Sequence, residues 1–152
     1  MRALFDTNVY ISYLLPSKAE SAIERIMNSA FEGTFTLLIA QEIVKEFSRK
    51  VASKSYLAKR ISREQANDLM EGILAVAEVI SVISTAIPNL PVITRDRKDD
   101  YLLAYAVVGE ADYLVTGDDD LLALGIVEGV NIVTPASFLV VLSDQQPPLQ
   151  PK

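Results

Sequence analysis

Apolar positions along this chain fall into short runs of two kinds, and the two kinds alternate. Ala3-Leu4-Phe5, Thr34-Phe-Thr-Leu-Leu-Ile39, Val79-Ile-Ser-Val-Ile83, Tyr113-Leu-Val-Thr116 and Val130 to Val133 are compact, rich in β-branched or aromatic residues, and bounded by polar or glycine positions. Such runs predict strands, and those with little polar interruption predict strands buried on both faces, as in a parallel sheet. Between them the spacing turns helical. Val9, Ile11, Tyr13 and Leu14 supply the apolar surface of a first helix, with Thr7 or Asn8 as its cap. Ser17-Lys-Ala-Glu20 reads as a capping box opening a second helix that runs to about Phe31 and stops at Gly33. From Ala40 onward Ile43, Val44, Phe47 and Val51 share a helical face, and Glu42 and Glu46 lie one turn apart on another. Ser62-Arg-Glu-Gln65 is a further capping box for a helix through Ile73 and Val76. Tyr101 to Val108 predicts a buried helix with small Ala104 and Ala106. Gly125 and Gly129 bracket a turn, and Thr134 caps a last helix with Pro135 in its first position.

Alternating helices and strands imply an α/β fold, a three-layer sandwich with a mainly parallel central sheet flanked by helices. The 152 residues suit one domain, placed at 1–142, and the proline- and glutamine-rich stretch 143–152 is expected to be disordered. No internal repeat is visible. No apolar run approaches a membrane span, and MRALFDTN lacks a signal-peptide pattern, so a cytoplasmic protein is expected.

Composition then narrows the chemistry. Half of the residues are hydrophobic and 22% are charged, which argues against extended disorder. There is no cysteine and no histidine. Thiol catalysis, disulfides, zinc–thiolate sites, Ser-His-Asp triads and imidazole acid–base chemistry are thereby excluded, leaving carboxylates, Lys, Tyr, Ser and Thr.

The carboxylates have a pattern. The stretch Asp99–Leu122 contains Asp99, Asp100, Glu110, Asp112, Asp118, Asp119 and Asp120 and no Lys or Arg. Asp6 ends the first strand, Asp118 to Asp120 follow the glycine turn after the strand at Tyr113, and Asp100 stands at a helix start. Singly, each has a structural explanation as a turn residue, a helix cap or a solvated surface acid. Together they gather at one edge, because strand ends of a parallel sheet lie on the same side, where ligands of open α/β sheets bind. Clustered carboxylates repel one another unless a cation lies among them, and an all-oxygen set points to Mg²⁺ or Mn²⁺.

Phe5-Asp-Thr-Asn8, Glu46, Asp100-Tyr-Leu-Leu-Ala104 and Val115-Thr-Gly-Asp-Asp-Asp120-Leu121 resemble the PIN domain family, and within it the VapC-like toxin components of prokaryotic toxin–antitoxin systems. The similarity runs from Arg2 to about Phe138. It implies a metal-dependent ribonuclease with the quartet Asp6, Glu46, Asp100 and Asp118, in which Asp6, Asp100, Asp118 and the additional acid Asp120 hold Mg²⁺ or Mn²⁺. Asn8 and Thr116 match polar positions that orient the carboxylates. Glu46, with Phe47 and then a basic residue after it, fits the family pattern better than Glu42, and Asp100 better than Asp99. Arg97 stands where Pro often follows the acid at Asp96, a departure that affects the loop.

Hydrolysis of an RNA phosphodiester needs an activated water and charge stabilisation on phosphate, which a divalent ion supplies. Lys45, Arg49, Lys50 and Lys54, within a basic stretch that continues through Lys59, Arg60 and Arg63, and the cluster Arg95, Arg97 and Lys98 are candidate phosphate contacts despite the net charge of −6. Tyr56 and Tyr101 are candidates for base stacking. The resemblance also implies a small antitoxin partner and a homodimer or higher homo-oligomer. A catalytically silent PIN-like module that binds RNA or protein is the alternative. A receiver-like phosphoacceptor would want an acidic pair after the first strand and a late Lys, and a haloacid-dehalogenase-like phosphatase would want Asp-x-Asp where Asp6-Thr-Asn8 stands.

Overall fold

The structure, a computed structural model, describes residues 1–15, 21–81 and 97–145, with the side chains of 97–100 outside that description. Six strands form one sheet: β1 (Arg2–Phe5), β2 (Thr36–Ala40), β3 (Glu78–Ile80), β4 (Tyr113–Val115), β5 (Ile126–Val127) and β6 (Val130–Val133). Their order is β3-β2-β1-β4-β6-β5, and every neighbouring pair is parallel except the β5–β6 hairpin. The helices are α1 (Thr7–Leu14), α2 (Ala22–Glu32), α3 (Gln41–Ser53), α4 (Ser55–Arg60), α5 (Arg63–Val76), α6 (Arg97–Val108), α7 (Asp119–Leu122) and α8 (Pro135–Gln145). The mainly parallel sheet flanked by helices is the architecture the alternating pattern implies.

Past their first residues, Arg2 and Thr36, β1 and β2 are apolar because both faces are covered. Ala3, Leu4, Phe5, Leu37 to Ala40, Leu114 and Val115 are all buried. Phe5 meets Phe138 of α8 edge to face at 5.8 Å, and Phe35 packs on the same ring at 5.0 Å. This aromatic cluster fixes the last turn of β1 and hence the point where Asp6 emerges. At the other end of the strand, the Arg2 guanidinium donates to the Gly109 carbonyl oxygen at 3.0 and 2.8 Å, and pairs with Glu78 at 2.6 Å. These contacts fasten the end of α6 and the start of β3 to β1.

Several boundaries differ from the sequence expectation, each for a local reason. The N-cap of α1 is Asp6 rather than Thr7 or Asn8, because β1 carries its extended backbone through Asp6 and Thr7 is already helical. Helix α2 starts at Ala22, where the Ser21 hydroxyl accepts the Glu24 N–H at 3.1 Å. The proposed box at Ser17–Glu20 lies outside the described residues. Thr34 is spent closing α2: Gly33 is left-handed, and the Thr34 N–H donates to Ser29 O at 3.1 Å, so β2 begins later. The third strand spans Glu78–Ile80 with Val79 half exposed, and Val82 and Ile83 lie outside the described residues. The box at Ser62–Gln65 forms as expected, and Thr134 caps α8 through the Ser137 N–H at 3.1 Å. Helix α8 continues to Gln145, three residues beyond the expected domain boundary. Among the described residues no helix is long and apolar enough to cross a membrane.

Candidate functional site

The chain leaves β1 towards β2 and β3 on one side, then returns to place β4 on the other side of β1. The direction of winding therefore reverses between β1 and β4, and the strand ends there open a crevice. Phe5 pairs in register with Val115, and the Asp6 N–H donates to Val115 O at 2.9 Å. The residues that follow each strand, Asp6 and Thr116, are thereby placed side by side. β2 ends at Ala40 and runs straight into α3, which carries Glu46 back over the same edge.

Asp6 is buried, 7% exposed, and so are Thr7 and Thr116. The Thr116 hydroxyl donates to Asp6 Oδ2 at 2.8 Å and accepts the Asp118 N–H at 3.0 Å. One hydroxyl thus links the first acid to the loop that carries the next. Burial pushes the Asp6 carboxyl above its ordinary value. The Thr116 hydroxyl, the Asn8 backbone N–H and the Lys50 ammonium oppose that rise, and the negative charge of Glu46 adds to it. Glu46 is held on both sides. Thr7 donates to its Oε2 at 3.2 Å, and Lys50 Nζ lies 3.2 Å from its Oε1. Lys50 also donates to Asn8 Oδ1 at 3.4 Å. Asp118 is the N-cap of α7, its Oδ1 accepting the N–H groups of Asp120 and Leu121 at 2.8 and 3.3 Å.

The expected site residues are thus distributed unevenly. Asp6, Glu46, Asn8 and Thr116 are connected through Thr7, Lys50 and the backbone. Asp118 joins them through Thr116, and Asp120 is exposed two residues further on. Asp100 lies in the first turn of α6, its side chain outside the described residues, as are those of Arg97 and Lys98; Arg95 lies outside altogether. Among the described residues no three acids come together closely enough to hold a metal ion. Between Glu42 and Glu46 the geometry separates the two: Glu46 acts on buried Asp6, while Glu42 is exposed and pairs with Lys45 at 3.9 Å. Of the basic candidates, Lys45, Arg49 and Lys54 are exposed, whereas Lys50 is turned inward to Glu46. Thr7, read from sequence only as a cap, is a fully buried bridge to Glu46, and its position directly after a strand-ending acid was the one available signal.

A cleft of about 300 Å³ adjoins the acids, lined by Glu42, Lys45, Glu46, Arg49 and Tyr101. Tyr101 is half exposed there and stacks on Tyr105 with centroids 6.4 Å apart.

The fold is similar to that of a chain in the crystal structure of VapBC2 from Rickettsia felis bound to a DNA fragment from their promoter. The TM-score is 0.59 at 14% identity, covering 88% of this chain and 98% of that one. Among curated protein sequences, none matches this chain. The family model for the PIN domain matches residues 2–120, which takes in β1, the acidic edge and the whole of the winding reversal. The chain belongs to the PIN domain family.

Proposed function

We propose that this protein is an endoribonuclease dependent on Mg²⁺ or Mn²⁺, acting in the cytoplasm as the toxin of a toxin–antitoxin pair. The observation that carries the reading is the buried Asp6 carboxylate, oriented by Thr116 and facing the field of Glu46 at the winding reversal. Its donor set is all oxygen, which suits a hard divalent cation, and burial gives Asp6 a need for positive charge beside it. Asp6, Asp100 and Asp118 would hold the ion, with Asp120 behind them, and Glu46 completes the catalytic quartet. A divalent ion bound there supplies an acidified water and a Lewis acid for a phosphate oxygen.

The chain's own residues do the rest. Thr116 keeps Asp6 Oδ2 directed and couples it to the Asp118 loop. Thr7 fixes the carboxylate plane of Glu46 from the side opposite Lys50. With no histidine in the chain, a carboxylate must orient or deprotonate the attacking water. The neighbouring cleft supports a single-stranded substrate, with Tyr101 offering a face to a base and Lys45 and Arg49 offering charge to phosphates. Likeness to the Rickettsia felis VapBC2 complex supports an antitoxin partner; a homodimer or higher homo-oligomer belongs to the same proposal.

The test is cleavage of labelled single-stranded RNA with Mg²⁺ or Mn²⁺ by the wild type, Asp6→Asn and Asp100→Asn. Cutting that chelation abolishes and both substitutions remove supports the proposal. Failure to cut varied RNAs, joined with no Mn²⁺ binding by calorimetry, would refute it and favour a PIN module that binds without cutting.

A further inference from the structure

Two Lys–Glu pairs lie on α3, and they differ in kind. Lys45 and Glu42 are 3.9 Å apart with side chains 71% and 52% exposed, an ordinary solvated pair. Lys50 and Glu46 are 3.2 Å apart with side chains only 23% and 21% exposed. The Lys50 ammonium has a second acceptor, Asn8 Oδ1 at 3.4 Å, on the first turn of α1 beside Asp6. Its charge is felt at Asp6 as well. A lysine bent inward onto three groups of the acidic edge is not explained as surface decoration, for an exposed i,i+4 pair contributes too little to hold it there.

We propose that Lys50 is a tethered counter-ion of the acidic site, whose ammonium competes with a divalent cation for the negative charge gathered there. The inference rests on the metal reading above and concerns how that site is filled before the ion arrives. Asp6 and Glu46 together carry two negative charges in a partly buried setting, and Lys50 neutralises one of them. With Thr7 on Oε2 and Lys50 on Oε1, neither oxygen of Glu46 is free of a donor. A cation drawn to this edge therefore competes with Nζ for the charge of Glu46. The flexible four-carbon stem lets the ammonium swing out without moving α3. Lys50 thus weakens metal affinity while stabilising the metal-free fold. Its role is to position charge, and it takes no part in the reacting atoms.

The experiment is Mn²⁺ calorimetry on the full metal-free chain, comparing wild type with Lys50→Met and Lys50→Gln. Met keeps the stem without charge. Gln retains N–H donors for Glu46 and Asn8, which preserves a folded variant if Met does not. Lys59→Met, on the exposed face of α4, controls for the loss of one positive charge. The expected result is a Kd at least ~10-fold lower for the Lys50 variants, with the Lys59 variant within about twofold of wild type. Melting in EDTA should show a lower Tm for the Lys50 variants, and saturating Mn²⁺ should close the gap. Equal or weaker Mn²⁺ binding by the Lys50 variants, when the wild type binds, overturns this inference and leaves the metal reading standing. No Mn²⁺ binding by any of the proteins overturns both.

Discussion

Replacing Thr116 by valine deletes one oxygen and preserves the shape of the side chain, so it isolates the bridge between Asp6 and the Asp118 loop. Thr116 is fully buried, which leaves no water to take over its two hydrogen bonds. The bond at 2.8 Å to the Asp6 carboxylate is charge-assisted, a class that contributes about 1.5–3 kcal/mol, and the bond from the Asp118 N–H adds about 0.5–1.5 kcal/mol. Thr116→Val should therefore lower unfolding stability by about 2–4 kcal/mol at neutral pH without metal. For a chain of this size that corresponds to a fall in Tm of roughly 5–15 °C. The assay is urea unfolding in EDTA, read as a cycle with Asp6→Asn. Because the charge-assisted share depends on an ionised Asp6, the valine substitution should cost at least ~1 kcal/mol less in the Asp6→Asn background. A cost below ~0.5 kcal/mol in the wild type, or strict additivity in the cycle, would refute the claim that Thr116 holds the carboxylate.

Three further outcomes follow from single features. The Asp6 carboxyl is raised above its ordinary value of 3.8 by burial, so between that value and its folded value the native state binds more protons than the unfolded chain. Stability of the metal-free protein should then fall as pH rises through that window. Asp6→Asn should be the more stable protein at neutral pH and lose that advantage in acid. A difference that does not change with pH in urea titrations would contradict this. Tyr10 is completely buried, and its hydroxyl has no hydrogen-bond partner among the described residues. Tyr10→Phe should raise stability by up to ~1–2 kcal/mol in chemical denaturation, and a loss of stability would reveal a partner for that oxygen. A Cβ on Gly109 would come 2.6 Å from Ile80 Cδ1 and 3.0 Å from Tyr105 O. Gly109→Ala should cost about 1–2 kcal/mol, and Ile80→Val should recover part of it; a neutral Gly109→Ala would show that β3 and α6 adjust freely.

The sequence by itself determined the layering. Alternation of helical spacing with short β-branched runs specifies buried parallel strands, since a strand without polar positions has no face to give to water, and β1, β2 and β4 formed as that argument requires. It also placed acids after β1 and β4 on one sheet edge, because in a parallel sheet the strand direction alone assigns the edge. Elements that depend on few residues were not legible. Helix α4 is six residues long, too short to display a period, and β5 is only two residues, although its partner β6 is legible at Val130 to Val133. Ser21 caps α2, and two consecutive signatures, Ser17 to Glu20 and Ser21 to Glu24, each a serine with glutamate three residues on, look alike in the sequence.

Only the tertiary structure decided how the acids are held. That Thr7 and Thr116 are buried bridges, that Glu46 rather than Glu42 faces Asp6, and that Lys50 turns inward while Lys45 turns out are all matters of which face of a helix meets a sheet edge. Residues one turn apart on α3 are equivalent in a local pattern. They become different once packing gives one of them a buried carboxylate for a neighbour and leaves the other in water.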